Sequence, residues 1–408
     1  MIKETISVPF RKSIHPHLEG VEVIREGDTS GNDTVLRFIL QGGREVSAIA
    51  LPQSNDQSRT GPTWTYLVDC QGWSLIDAGP RGALEALERG LGTLGRKLTD
   101  LERVIITHGH QDHDGNAYDL VKASGAQLWA HEMYFPFLTH DYQHMGLDRT
   151  SPLHQGMGRF ARDEGERYGR HQDPSTAAHW HGHNREYMGG HRRILEEKLP
   201  IHGLRDGELI GDMRFLYTPG HAVDAMSIGF GGAVFTGDHI LPQITPHPTF
   251  QQAYPESLLA AIPPEHQQSK EHYGLACYLR SLGKVLDLGM GITVLPAHRL
   301  FNHGRLNLRN LQRAQEIVRH HMRRLESIME GIGEDAATLG EVTVRSFPSR
   351  KLAGGGYFAA MSEVISHLEL LADIGDIQVS EDGRVRRSDT ETFRQEVEAL
   401  VAHASGWA

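Results

Sequence analysis

Four side chains within one short stretch are metal ligands by type. They lie in Thr107-His108-Gly109-His110-Gln111-Asp112-His113-Asp114-Gly115, as His108, His110, Asp112 and His113. The apolar run Val104-Ile105-Ile106 leads into the stretch and reads as a short buried strand. Ala117 to Ala123 follows with helical periodicity and stops at Gly125. The ligands therefore sit on a tight loop between a strand and a helix. His108 and His110 are two residues apart, so in extended backbone their rings point the same way. Asp112 and His113 lie past the turn and can face a second centre. Two imidazoles for one cation and a carboxylate–imidazole pair for another are what a two-metal hydrolytic site needs. The chain holds 26 histidines, so a chance cluster is the competing explanation. Placement at the end of an apolar strand favours metal binding.

Three later strands also end in ligand-type residues. Met213 to Tyr217 runs into Thr218-Pro219-Gly220-His221. Met226 to Phe230 and Ala233 to Phe235 form a hairpin over Gly231-Gly232, and its second arm ends in Thr236-Gly237-Asp238. Ile292 to Leu295 ends in Pro296-Ala297-His298. One histidine after a strand is usually a satisfied polar residue. Three such ends, added to the first loop, are better explained by a shared site. Upstream, Trp73 to Ile76 ends in Asp77-Ala78-Gly79-Pro80. Asp77 is either a turn residue or a carboxylate that fixes a ligand imidazole from behind.

The elements that must carry these residues alternate between strand and helix. Val35–Leu40, Val46–Leu51 and Thr63–Val68 read as strands, Ala83–Leu94 as a helix and Gln127–Ala130 as a strand. This order predicts an α/β layer arrangement. Residues 1–60 are otherwise hard to place. A helix is predicted over Leu275–Leu288.

With 408 residues the chain has room for two domains and a large core. Its net charge of −11 opposes non-specific binding to nucleic acid or an anionic membrane, and no apolar stretch approaches a membrane span. Two cysteines, Cys70 and Cys277, argue against a disulfide framework and fit a reducing cytoplasm. The first twenty residues lack an apolar core of signal-peptide length.

Two regions depart from the alternating pattern. Residues 133–200 form an insert rich in aromatics and histidines with poor periodicity, which suggests a functional lid or a disordered segment. Within it, His179-Trp180-His181-Gly182-His183 reads as a third metal site, a solvated surface run or a set of substrate contacts. The tail from about Arg305 reads as a long helix, then a short helix with a capping box at Thr338-Leu339-Gly340-Glu341, then a helix stopped by Gly375. Ile377–Val379 and Val385 flank a hairpin turn at Glu381-Asp382-Gly383-Arg384. Helices followed by a two-stranded wing describe a winged-helix module. This one carries 13 Lys plus Arg against 16 Asp plus Glu, so it lacks the basic face of a DNA binder. Packing or homodimer formation fits it better.

Taken together, Asp77, the His108–His113 motif, His221, Asp238 and His298 resemble the metallo-β-lactamase superfamily, in family order over roughly residues 60–303. The tail is similar to the winged-helix domain of the branch with a C-terminal β-lactamase-associated module. The resemblance implies a four-layer αβ/βα sandwich over 1–304, with the metals at one edge, and a mostly helical winged-helix domain over 305–408. It assigns His108, His110 and His221 to one metal, Asp112, His113 and His298 to the other, and Asp238 to a bridging role. Asp77 would then support the ligands from behind. Arg299 stands after His298 where the family commonly has glycine.

This set predicts a cytoplasmic hydrolase with two Zn(2+) per chain, iron or manganese being alternatives. Two cations would hold a hydroxide between them for attack on a small thioester, ester or lactone, with Asp112 as the proton carrier. The competing readings are a metal-dependent endoribonuclease or phosphodiesterase, a mononuclear-iron sulfur dioxygenase and an inactive binding protein. The charge balance disfavours a nucleic-acid substrate.

Overall fold

The computed structural model describes residues 6–53, 60–138, 151–163, 186–302, 304–352 and 356–402. Its first sheet has nine strands in chain order: β1 (Ile6–Ser7), β2 (Leu18–Arg25), β3 (Val35–Leu40), β4 (Arg44–Leu51), β5 (Thr63–Asp69), β6 (Trp73–Ile76), β7 (Leu101–Ile105), β8 (Gln127–His131) and β9 (Ile201–Leu204). Pairing is antiparallel up to β6 and parallel from β6 to β9. Parallel neighbours need crossovers. Helix α1 (Leu84–Thr93) supplies the first. The second contains the short α2 (Gln111–Asp114) and α3 (Ala117–Ser124).

The insert makes the third crossover. Among the described residues it contributes α4 (Tyr134–Phe137), α5 (Pro152–Asp163) and a helix α6 over 186–196. His140, Tyr142, His144, His171 and the His179–His183 run lie outside the described residues.

The second sheet has β10 (Leu209–Ile210), β11 (Met213–Tyr217), β12 (Met226–Phe230), β13 (Ala233–Gly237) and β14 (Thr293–Pro296), closed at its far edge by a later strand over Arg309–Asn310. The short α7 (Glu256–Leu259) and the longer α8 (Gly274–Leu286) lie between β13 and β14. A small ribbon, β15 (Phe301–Asn302) with β16 (Arg305–Leu306), precedes β17 (Arg309–Asn310).

Side-chain alternation along these strands builds four layers. Phe38, Trp64, Tyr66 and Ile105 of the first sheet meet Phe215, Ile228, Phe235 and Leu295 of the second in the central core. On the outer face of the first sheet, Ile49, Leu67, Leu75 and Val104 are covered by Leu87 and Leu91 of α1, Leu120 of α3 and Ile194 of α6. Each such leucine contributes roughly 1.5–3 kcal/mol on burial. On the outer face of the second sheet, Val234 and Val294 pack under Leu275, Leu279 and Leu282 of α8. Val234 and Phe235 are adjacent, as are Val294 and Leu295, yet each pair feeds two different cores. The αβ/βα sandwich expected from the sequence is the observed fold.

The C-terminal region is mostly helical: α9 (Gln312–Ile332), α10 (Leu339–Ser346), α11 (Ser349–Leu352), α12 (Gly356–Asp373) and α13 (Phe393–Ala402), with the hairpin β18 (Ile377–Val379) and β19 (Val385–Arg387) before α13. Ile317, Leu325, Met361 and Leu368 share one continuous core with α8.

The long helix starts at Gln312, not near Arg305 as its periodicity suggested. Leu306 and Leu308 pack against the inter-sheet core instead, and Arg309–Asn310 pairs with the edge of β14. Sheet completion overrides helical spacing there. The structure also adds β1 and β2, whose polar and glycine-containing register gives little periodic signal.

Candidate metal centre

Five strand ends converge at one edge of the sandwich. Asp77 follows β6, the His108 loop follows β7, His221 follows β11, Asp238 follows β13 and His298 follows β14. Backbone bonds lock these ends together. Asp77 N–H donates to Ile105 O (2.7 Å), Met226 N–H to Thr107 O (2.8 Å) and Ala297 N–H to Gly237 O (3.0 Å). His113 O accepts from Ala78 and Gly79 N–H at 2.8 and 2.9 Å.

All seven ligands expected from the sequence meet here. Among the described residues, potential ligand atoms cluster as His108–His110–His221, as His108–His113–Asp238 and as Asp112–His113–His298, each within 4.8 Å. The first and third groups match the two ligand sets implied by the resemblance. Asp238 lies between them: Oδ2 is 3.8 Å from His221 Nε2, and Oδ1 is 3.6 and 3.4 Å from His113 and His298 Nε2. Asp112 Oδ2 is 3.0 Å from His298 Nε2. His108 Nε2 and His110 Nδ1 face each other at 2.9 Å.

The distal ring nitrogens are anchored where ligand imidazoles need to be. His113 Nδ1 contacts Asp77 Oδ2 at 2.8 Å, His221 Nδ1 contacts His247 O at 3.0 Å and His298 Nδ1 contacts Pro62 O at 3.1 Å. Asp77 also accepts from Thr107 N–H (2.8 Å) and Thr107 Oγ1–H (2.9 Å). It is thus a turn residue, with φ of 64°, whose carboxylate also meets the His113 ring.

The site tests well for cations. His113 Nε2, His221 Nε2, His298 Nε2 and Asp238 Oδ1 are buried and have no partner in hydrogen-bond geometry. Natural proteins rarely leave so many polar atoms unmatched in one place. Burial, reinforced by neighbouring histidines, holds the His108 pKa well below the usual histidine range. Burial likewise lowers His221 to about 4. Both rings therefore offer lone pairs. Burial opposes charge on His113, but Asp77, Asp112 and Asp238 outweigh it and raise its pKa. Burial would raise Asp112 and Asp238, yet His113 and His298 hold both below the carboxylate range.

A further group, His131, Glu132 and His266, has ligand types at metal-compatible spacing. Four of its atoms already have partners. Met133 N–H donates to His131 Nδ1 (3.3 Å), His266 Nε2 meets Glu132 Oε1 (3.0 Å) and Arg205 Nε–H donates to Glu132 Oε2 (3.1 Å). We read it as a structural cluster.

Several residues around the centre had no signal in the sequence. Gln53 Nε2–H donates to Asp112 Oδ2 at 3.0 Å. Asp224 Oδ2 accepts from Gly109 N–H at 2.8 Å, and burial lifts its pKa to about 7. Asp114, the last residue of α2, accepts from Tyr134 and Tyr187, and His191 Nε2 lies 2.8 Å from it. None of these belongs to a recognisable spacing, and the contacts span from 20 to 115 residues.

The sequence profile of the metallo-beta-lactamase superfamily matches residues 58–271, just over half the chain. The chain belongs to the metallo-beta-lactamase superfamily. It is similar to the probable metallo-hydrolase YqjP of Bacillus subtilis, at 44% identity over 73 residues, or 17% of this chain and 22% of that protein. It is also similar to metallo-beta-lactamase domain-containing protein 1 of Mus musculus, at 34% over 137 residues, or 32% and 48%. The chain thus spans less than half the length of the curated relatives it matches. Among solved structures, a metallo-beta-lactamase family protein from Thermus thermophilus shares the fold with a TM-score of 0.54 at 23% identity, covering 84% of this chain and 98% of the other. A beta-lactamase domain protein from Burkholderia ambifaria gives 0.56 at 20%, covering 84% and 92%. The His/Asp groups of this superfamily member are candidate metal-binding clusters. No helix among the described residues is long and apolar enough to cross a membrane.

Proposed function

We propose that this superfamily member is a dinuclear metal-dependent hydrolase acting on small carbonyl electrophiles, namely thioesters, esters or lactones. The observation that carries the reading is the pair of ligand triads joined through Asp238, with four buried polar atoms left for cations to satisfy. Zn(2+), two per chain, suits this nitrogen–oxygen ligand set, with iron or manganese as alternatives. When bound, such cations supply Lewis acidity that brings a water's pKa near neutrality and polarises the electrophile.

The remaining work falls to the chain. Asp112 is partly accessible, at 32% of its side-chain surface, so it can exchange protons with substrate. Gln53 donates to Oδ2 of Asp112 and leaves Oδ1 to act as the proton carrier. Phe137, Val223, Tyr254 and Tyr273 belong to a small buried apolar cluster, in which Val223 lies two residues after His221. The net charge of −11 disfavours a polyanionic substrate. We assign residues 305–408 to a winged-helix-like unit that serves packing or self-association.

The test is turnover by purified, zinc-loaded protein across a panel of acyl thioesters, esters and lactones. We expect hydrolysis of at least one class and its loss in His110→Ala. No turnover, or turnover that survives this substitution, overturns the reading. So does preferential cleavage of single-stranded RNA with steep salt dependence.

A further inference from the structure

The insert reaches the metal loop from behind. Tyr187 and His191 lie four residues apart on α6, hence on one helix face. Both are buried, at 5% and 3% exposure. Tyr187 Oη–H donates to Asp114 Oδ1 at 2.8 Å and to Gly109 O at 3.3 Å. His191 Nε2 lies 2.8 Å from Asp114 Oδ2, and its ring packs 4.1 Å from that of Tyr187. Tyr134 Oη–H donates to the same oxygen of Asp114 at 2.9 Å.

Asp114 directly follows the ligands Asp112 and His113. Gly109 sits between the ligands His108 and His110, and its N–H is fixed by Asp224. A Cβ on Gly109 would sit 3.1 Å from Asp224 Oδ2 and 3.2 Å from the Tyr134 ring, so the loop has little room to shift. The two ends of the motif, Gly109 and Asp114, are therefore gripped by one side chain, Tyr187.

We infer that Tyr187 and His191 are positioning residues that set the geometry of the His108–His113 ligands from the insert. The inference rests on the metal-dependent reading above. It adds that the insert is part of the metal site's support and not only a covering segment. Partners that orient ligands in this way typically change metal affinity or activity by roughly 10–100-fold when removed.

The test uses full-length protein loaded with cobalt(II). Tyr187→Phe keeps the ring and removes the hydroxyl. We expect a displaced cobalt d–d band, metal dissociation about 10–100-fold faster and a fall in kcat with KM nearly unchanged. The control is Tyr118→Phe, which breaks the 2.6 Å tie from α3 to Glu197 beyond α6 without touching the loop. It should leave the cobalt spectrum and kcat as in the parent. His191→Gln is the second probe if Tyr187→Phe does not fold.

Parental spectrum, metal dissociation and kcat in Tyr187→Phe and His191→Gln would overturn the inference. Equal changes in Tyr187→Phe and Tyr118→Phe would also overturn it, because insert docking alone would then explain the effect. A parent protein that takes up no cobalt would instead remove the underlying metal reading, so the two failures are distinguishable.

Discussion

Asp77 Oδ2 lies 2.8 Å from His113 Nδ1, and the same carboxylate takes the Thr107 N–H and hydroxyl. One buried side chain thus joins the end of β6 to both ends of the strand-to-helix turn. It orients the His113 ring so that Nε2 faces the site.

Asp77→Ala should therefore weaken metal binding about 10–100-fold. It also strands the buried Thr107 N–H, at a cost of roughly 1–3 kcal/mol. Competition titration with a chromophoric chelator reads the first effect and thermal melts read the second. Unchanged affinity would show that His113 needs no such anchor.

Removal of single ligands should divide the site. His221→Ala should lose the cation of the His108–His110–His221 group, and His298→Ala that of the Asp112–His113–His298 group, each leaving one equivalent by elemental analysis. Asp238→Ala should weaken both. In the parent, added zinc should raise Tm, by about 2.7 kcal/mol of stabilisation at a hundredfold excess over Kd. A chelator should reverse the shift. Equal loss of both cations in His221→Ala would mean that the two groups do not bind independently.

Gly220 precedes His221 with φ of 132°, and a Cβ there would lie 2.4 Å from Tyr278 Cα. That contact is with backbone, so it cannot be relieved by rotating a side chain. Gly220→Ala should cost about 1–3 kcal/mol or more and shift His221 out of its group. A crystal structure with His221 in place and parental Tm would refute this.

His15 is buried far from the metal centre, with Nδ1 3.1 Å from Thr293 Oγ1, and burial lowers its pKa to about 4. The unfolded chain takes up a proton near pH 6.5 while the folded chain resists until about pH 4. This ring therefore imposes no penalty above pH 6.5 and destabilises the fold increasingly as pH falls from 6.5 to 4. In chelator-treated protein, His15→Gln should show a flatter fall of Tm across that window. Parallel curves would mean that His15 titrates alike in both states.

The readable parts of this protein were those in which local spacing and function coincide. His108 to His113 announce themselves because a tight turn must hold several ligands within a few residues. Thr338 and Glu341 form the capping box that their spacing predicts, with Glu341 N–H donating to Thr338 Oγ1 at 3.2 Å. The fold class followed from strand–helix alternation and family resemblance. Gln53, Asp224, Tyr187 and His191 were invisible because their partners are remote in sequence and any polar residue suits a loop. Arg299 looked like a departure from the glycine expected there. It holds φ of 60°, the left-handed conformation that glycine adopts without strain. The start of the tail was misread because Leu308 fits a helical stripe and an inter-sheet core equally well.

The last rung of the second sheet has a practical consequence. Asn310 pairs with Thr293 beside the strand leading to His298, and its side-chain amide donates to Ile14 O at 3.0 Å. Opening residues, ligand-bearing strand and tail are thus sewn together at one seam. Cutting the gene after residue 304 would unpick that seam and bare the apolar underside of α8. Anyone trimming this protein should expect the shortened half to precipitate unless the stitches through α9 are kept.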